Sequence, residues 1–211
     1  MRPILFNTEM VRAILDGRKT VTRRPVKFGR GRNPKWSGYV PDGGVLYGSN
    51  NIPAAKAPYQ AGDILWVRET WTSVPGGSYI YKVSVECPDA WRGTWHPSIH
   101  MPKEAARLFL RVVAVWVERL KDITPEQIDA EGCKEWTYSA MTGEPLPSGP
   151  SWFRIAWDRT IKPSDLPAYG WEANPWVWVI KFERISRPPE GKEVVQTGTG
   201  RTDQGSKIAG G

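Results

Sequence analysis

Histidine and cysteine are scarce, with two of each in 211 residues. Cys87 and Cys133 are too few for a disulfide framework. A reduced, cytoplasmic setting is the simplest expectation. Cys87, His96, His100 and Cys133 can be written as a metal set, but His96 and His100 stand in a loop with Pro97 between them. The cysteine spacing fits no ribbon or finger. No metal and no cofactor is expected. Long apolar runs are also missing: no window approaches the roughly 18 apolar residues of a membrane span. The opening MRPILFNTEM is too short and too polar for the apolar core of a signal peptide. The chain has no P-loop, no G-x-G-x-x-G fingerprint and no G-x-S-x-G elbow, which excludes the common phosphate-loop, dinucleotide and α/β-hydrolase signatures.

Positive charge is present, and it is local. The whole chain carries a net +7. Between Met1 and Trp36, ten cations face only Glu9 and Asp16, an excess of eight. A field of this sign favours anionic partners such as nucleotides or nucleic acid. Twelve tryptophans are unusual. Core packing accounts for most of them, and Trp66, Trp71 and Trp95 are candidates to stack on a base.

FNTEMVRAILDG reads as a short helix capped by Asn7 or Thr8 and stopped at Gly17. Loop insertions are expected over 27–60, 86–101 and 133–150, where Gly, Pro and polar residues cluster. Strands are expected at Ile64–Thr70, within GSYIYKVSV, along the Val-rich Arg107–Leu120 and at Trp176–Ile185. ITPEQIDAEG starts a helix, with Thr124 as cap, Pro125 in the first turn and Gln127 completing a capping box. SWFRIAWDRTI is a further amphipathic helix, with Trp152, Ile155, Ala156 and Arg159 at helical spacing. The segment 186–211 is polar and Gly-rich and reads as a flexible tail beyond a domain over 1–185. Elements in this order do not alternate as βαβ units do, so the chain reads as α+β, a small barrel-like sheet with flanking helices.

LDGRKTVTRRP concentrates the charge. It is a solvated basic turn, a phosphate clamp, or a lysine–threonine pair set for chemistry. In an extended segment Arg18, Thr20, Thr22 and Arg24 share one face, with Lys19, Val21 and Arg23 on the other. A bulge near Gly17 would bring Lys19 to Thr22. A threonine hydroxyl needs a base, and lysine serves as one when desolvation or neighbouring cations lower its pKa. Arginine stays charged and cannot be that base. In WVRETW, adjacent Arg68 and Glu69 face opposite sides of a strand, so one of them points inward. Glu69 is either functional or paired with an N-terminal arginine.

ILDGRKTVTRR, AGDILWVRETW, LKDITPEQIDAEG and WVWVIKFERI together resemble the ASCH domain of the PUA-like superfamily, in the larger phage- and prophage-associated form. The resemblance covers most of 1–185 and implies a barrel-like sheet with flanking helices. It also implies the chemistry of a small family member, an N(4)-acetylcytidine amidohydrolase. Lys19 would accept the proton, Thr22 would be the nucleophile and Glu131 the proton donor. Arg18, Thr20, Arg23, Arg24, Arg68, Glu69, Trp71 and His100 are the expected substrate-binding residues. The partner would be a modified cytidine nucleoside or nucleotide. The rival readings are an RNA-binding module and a ribonuclease.

Overall fold

The computed structural model describes residues 1–28, 45–47, 53–90, 92–133 and 150–189. The expected insertions over 27–60 and 133–150, and the tail over 186–211, fall largely outside them.

Five strands build the main sheet: β1 (Arg2–Leu5), β2 (Val21–Pro25), β5 (Ile64–Arg68), β8 (Phe109–Arg119) and β9 (Trp176–Ile185). Their order is β1-β5-β8-β9-β2. β1 runs parallel to β5, and every other pair is antiparallel. Two small antiparallel pairs stand apart, β3 (Val45–Tyr47) with β4 (Pro53–Lys56) and β6 (Trp71–Ser73) with β7 (Tyr79–Tyr81). The helices are α1 (Thr8–Leu15), α2 (Pro125–Ala130), α3 (Pro150–Thr160) and α4 (Leu166–Tyr169). Among the described residues, no helix is long and apolar enough to cross a membrane.

Alternation along β9 puts apolar side chains on both faces. Ile180 and Phe182 pack with Val11 and Ile14 of α1. Val177 and Val179 pack with Ile128 of α2 and with Phe153 and Trp157 of α3. Helices therefore cover the sheet on two sides. α3 buries Phe153 and Trp157 rather than the expected Ile155, which is 41% exposed. The Val-rich run is one strand, and its register shifts between Val112 and Ala114.

The sheet is a mixed α+β arrangement with flanking helices, and the expected barrel is corrected: among the described residues no sheet closes. β1 and β2 remain opposite edges. The Thr20 carbonyl accepts from the Phe182 N–H of β9, and the Val26 N–H donates to the Trp176 carbonyl of β9. The backbone groups of the odd residues of β2 therefore point to its free edge, and two of the groups a closing strand would need are lost. The Val21 carbonyl is taken by Lys19 Nζ at 2.8 Å, and Pro25 has no N–H. Among the described residues, the Arg24 side chain reaches across the gap, its Nη2 donating to the Leu5 carbonyl at 3.0 Å.

Candidate active site

Lys19 leaves α1 through a left-handed Gly17 (φ 76°) and lies just before β2. Its backbone N–H still bonds to the Ala13 carbonyl at 3.0 Å, which turns the side chain inward. Glu131 is the C-cap residue of α2. That helix begins with the expected capping box, Thr124 against Gln127. It stops at Gly132 (φ 83°), where an added Cβ would lie 2.7 Å from Ala13 Cβ and 3.1 Å from Lys19 Cβ. Only glycine permits this close approach, and the approach delivers Glu131 to Lys19.

Lys19 Nζ donates to Glu131 Oε2 at 2.7 Å, to the Glu131 carbonyl at 3.0 Å and to the Val21 carbonyl at 2.8 Å. All three ammonium protons are used. Burial pushes the Lys19 pKa below its ordinary 10.5, against the opposing pull of Glu131. Arg23 Nη1 reaches the other Glu131 oxygen at 3.1 Å. The Arg23 Nε and Nη2 converge on Glu118 Oε1 at 3.0 and 2.5 Å, and Nη2 also meets Gln127 Oε1 at 2.9 Å. The Lys19 and Arg23 side chains have no solvent exposure. Two cations and two carboxylates thus balance one another inside the protein, as buried charges must.

Thr22 is buried on the opposite face of β2 from Arg23. It lines a cavity of about 30 Å³ shared with Arg23, Arg24, Glu131, Cys133 and Trp157. That volume holds one or two waters. Small-molecule sites run to roughly 300–1,000 Å³, so a nucleoside enters only if the cavity widens. No hydrogen bond joins Lys19 to Thr22 among the described residues; Glu131, which bonds to Lys19, also lines the cavity at Thr22. Burial pushes the Cys133 thiol up to about 11. A thiol is a weak nucleophile until ionised. Arg24 lines the cavity without a carboxylate partner among the described residues, held only by the Leu5 carbonyl and near the Phe6 ring.

The other expected residues separate from this group. Arg18 braces the Gly132 carbonyl at 3.2 Å and Asp16 at 3.0 Å, outside the cavity. Thr20 serves through its backbone, its N–H on the Ala130 carbonyl at 2.9 Å. Glu69 is 1% exposed and forms a bidentate pair with Arg107, both bonds at 2.9 Å. The expected N-terminal arginine is not its partner. The Arg107 guanidinium also lies 3.9 Å from the Tyr81 ring centre, a clamp between β5, β7 and the start of β8. Arg68 Nε holds the Met101 carbonyl at 3.1 Å. Trp71 packs between Tyr79 and His96, and His100 is exposed in a short 3₁₀ turn. None of these four, Arg68, Glu69, Trp71 or His100, lines the Thr22 cavity.

Glu118 and Gln127 are the members that the sequence reading missed. Gln127 looked like a capping residue alone, yet its oxygen accepts from both the Thr124 N–H at 3.0 Å and Arg23. Glu118 had a signal: a carboxylate ending the apolar run VVAVWVE on a strand.

No family model matches the chain, and no curated protein matches it. Among solved structures, it is similar to the crystal structure of protein EF3133 from Enterococcus faecalis V583, of the family DUF984, at 10% identity and a TM-score of 0.43. The alignment covers 92% of this chain and 86% of that one. At that score the likeness assigns no role to any residue here.

Proposed function

We propose that the chain hydrolyses the exocyclic amide of an N(4)-acylated cytosine nucleoside or nucleotide. The observation that carries this reading is the buried Lys19–Glu131 contact of 2.7 Å beside a cavity lined by both Glu131 and Thr22. The resemblance to ASCH proteins supplies the substrate class and the roles.

The reaction begins with one proton moving from Lys19 to Glu131 along their hydrogen bond. This leaves an amine base on Lys19, whose charged form burial disfavours, and a carboxylic acid on Glu131. The amine turns toward Thr22 and takes its hydroxyl proton. The threonine oxygen attacks the acyl carbon, and the Arg24 guanidinium holds the oxyanion. Glu131 returns its proton to the cytosine nitrogen as the C–N bond breaks, and the acyl group stays on Thr22 as an ester. Water then attacks the ester while Glu131 takes a proton from it, and Lys19 reprotonates the departing threonine oxygen. Transfer of that proton from Glu131 to Lys19 restores the starting pair.

Arg24, which forms no ion pair among the described residues and lines the cavity, suits a nucleotide better than a free nucleoside. The same lysine and glutamate facing a 2′-hydroxyl and a phosphate would instead cleave RNA. Mass spectrometry of acid-quenched reactions, one with N(4)-acetylcytidine and one with RNA, separates the two. An acetyl group on the Thr22 peptide supports the amidohydrolase. Cleaved RNA with no acyl-protein refutes it.

A further inference from the structure

Thr22, Arg23 and Arg24 all line the small cavity, together with Met10 of α1 and with Phe153 and Trp157 of α3. The three are successive residues of β2, and Arg23 points to the opposite face of the strand from the other two. A cavity that touches all three lies across the edge of the strand rather than over one face. β9 occupies the other side of β2, so this is the free edge. The even residues give their backbone groups to β9, as the bonds at Thr20 and Val26 show. The Arg23 N–H and carbonyl therefore point to the edge where the cavity lies.

Arg23 is 2% exposed, and its main-chain N–H meets no acceptor among the described residues. Buried N–H groups without a partner are rare in folded proteins. This one belongs to the residue directly after Thr22. From that position a main-chain N–H serves the oxyanion beside a nucleophilic hydroxyl in α/β-hydrolases, a different fold with the same local need. The charges around it favour an anion. Lys19 Nζ holds the Val21 carbonyl at 2.8 Å, so the preceding acceptor along the edge is covered by a cation. Glu131 at the cavity has one oxygen on Lys19 and the other on Arg23 Nη1. Arg24 brings a guanidinium to the same cavity. The Val21 N–H points the same way, but Val21 does not line the cavity, and Pro25 has no N–H to offer.

We propose that the Arg23 main-chain N–H is the donor of an anion site at the free edge of β2, and that it holds the oxyanion formed when Thr22 attacks. As the Thr22 oxygen bonds to the acyl carbon, the carbonyl π pair moves onto the acyl oxygen. That oxygen accepts from the Arg23 N–H, beside the Arg24 guanidinium, at the roughly 2.7–3.1 Å such donors need. The pair then returns to the carbon, the C–N bond breaks, and the leaving nitrogen takes the Glu131 proton. The ladder to β9 fixes the strand, so this donor needs no reorganisation as charge develops. Only the catalytic use rests on the proposed amide hydrolysis; binding of an anion does not.

Arg23→Pro removes the N–H but also the guanidinium that balances Glu118 and Glu131, so it does not isolate the donor. Proton–nitrogen NMR of the ¹⁵N-labelled full chain does. Formate is the probe, a carboxylate with about the bulk of the one or two waters the cavity holds. It is titrated against sodium chloride at matched ionic strength. The Arg23 amide proton should move downfield and saturate with formate and not with chloride. The Thr20 amide, already bonded to the Ala130 carbonyl, should stay in place. Arg24→Gln should weaken the titration severalfold, since one charged donor is lost, and keep the Arg23 shift. An Arg23 amide that ignores formate, or moves equally with chloride, overturns the proposal. So does a shift lost entirely in folded Arg24→Gln, which assigns the anion to the guanidinium alone. Hydrolysis of N(4)-acetylcytidine by a chain whose Arg23 amide ignores formate defeats this inference alone. A formate shift without hydrolysis defeats the proposed activity alone.

Discussion

Lys19 Nζ and Glu131 Oε2 lie 2.7 Å apart in the interior, although 112 residues separate them in the chain. Removing one partner strands the others. Glu131→Gln leaves Lys19 and Arg23 short of negative charge and should cost about 3–5 kcal/mol, the usual penalty for breaking a buried pair. The double variant Lys19→Met with Glu131→Leu should recover part of that loss. Urea unfolding of both proteins measures the difference, and equal stability of Glu131→Gln and wild type would contradict the buried network.

Gly132 makes the contact possible. Gly132→Ala meets both a left-handed backbone and an Ala13 Cβ at 2.7 Å. The strain and the overpacking should together cost about 2–4 kcal/mol. Arg18→Gln, which removes only the brace on the Gly132 carbonyl, should cost less in the same thermal or urea titration.

Lys19 also makes stability depend on pH. Its folded pKa lies below the unfolded 10.5 because of burial. Between those two values the unfolded chain binds more protons, so stability rises with pH across that window. The contribution is complete above the unfolded pKa and is lost as pH falls through the folded one. Unfolding free energies of wild type minus Lys19→Met should therefore slope upward in the alkaline range. A flat difference would contradict the depressed value.

The two thiols should react unequally. Cys87 is exposed, whereas Cys133 is half-buried with its thiol raised to about 11. Iodoacetamide at neutral pH should label Cys87 first, because the thiolate is the reacting form. Peptide mapping reads the order, and faster labelling at Cys133 would restore it as a rival nucleophile to Thr22.

Local signals were legible where the physics is local. Asn7 caps α1 by accepting from Met10 N–H at 2.8 Å, and Gly17 ends it. Thr124, Pro125 and Gln127 start α2 as their types demand. The final strand occupies Trp176–Ile185, where its apolar run lies. β1 escaped, because RPIL is only four residues and its place is set by a parallel partner far along the chain. The barrel expectation came from the order of elements and from family likeness, and it failed on the outward groups of β2 that Lys19 and Pro25 remove.

The site was legible in part for the same reason. Residue types pointed to a lysine, a threonine and a glutamate, but no spacing rule joins positions 19 and 131. Alternation correctly put Arg23 on the face opposite Thr22, yet its partners Glu118 and Gln127 depend on the strand order β8-β9-β2. Glu69 shows the converse: an inward carboxylate looked functional, and Arg107 satisfies it completely at both oxygens.

The central claim is tested most directly by chromatography of purified wild-type protein and Thr22→Ala incubated with N(4)-acetylcytidine, with circular dichroism to establish that both are folded. The account predicts that the wild type releases cytidine and acetate and that the variant releases none. Folded wild type that leaves the amide intact, or Thr22→Ala that still cleaves it, would contradict the assignment.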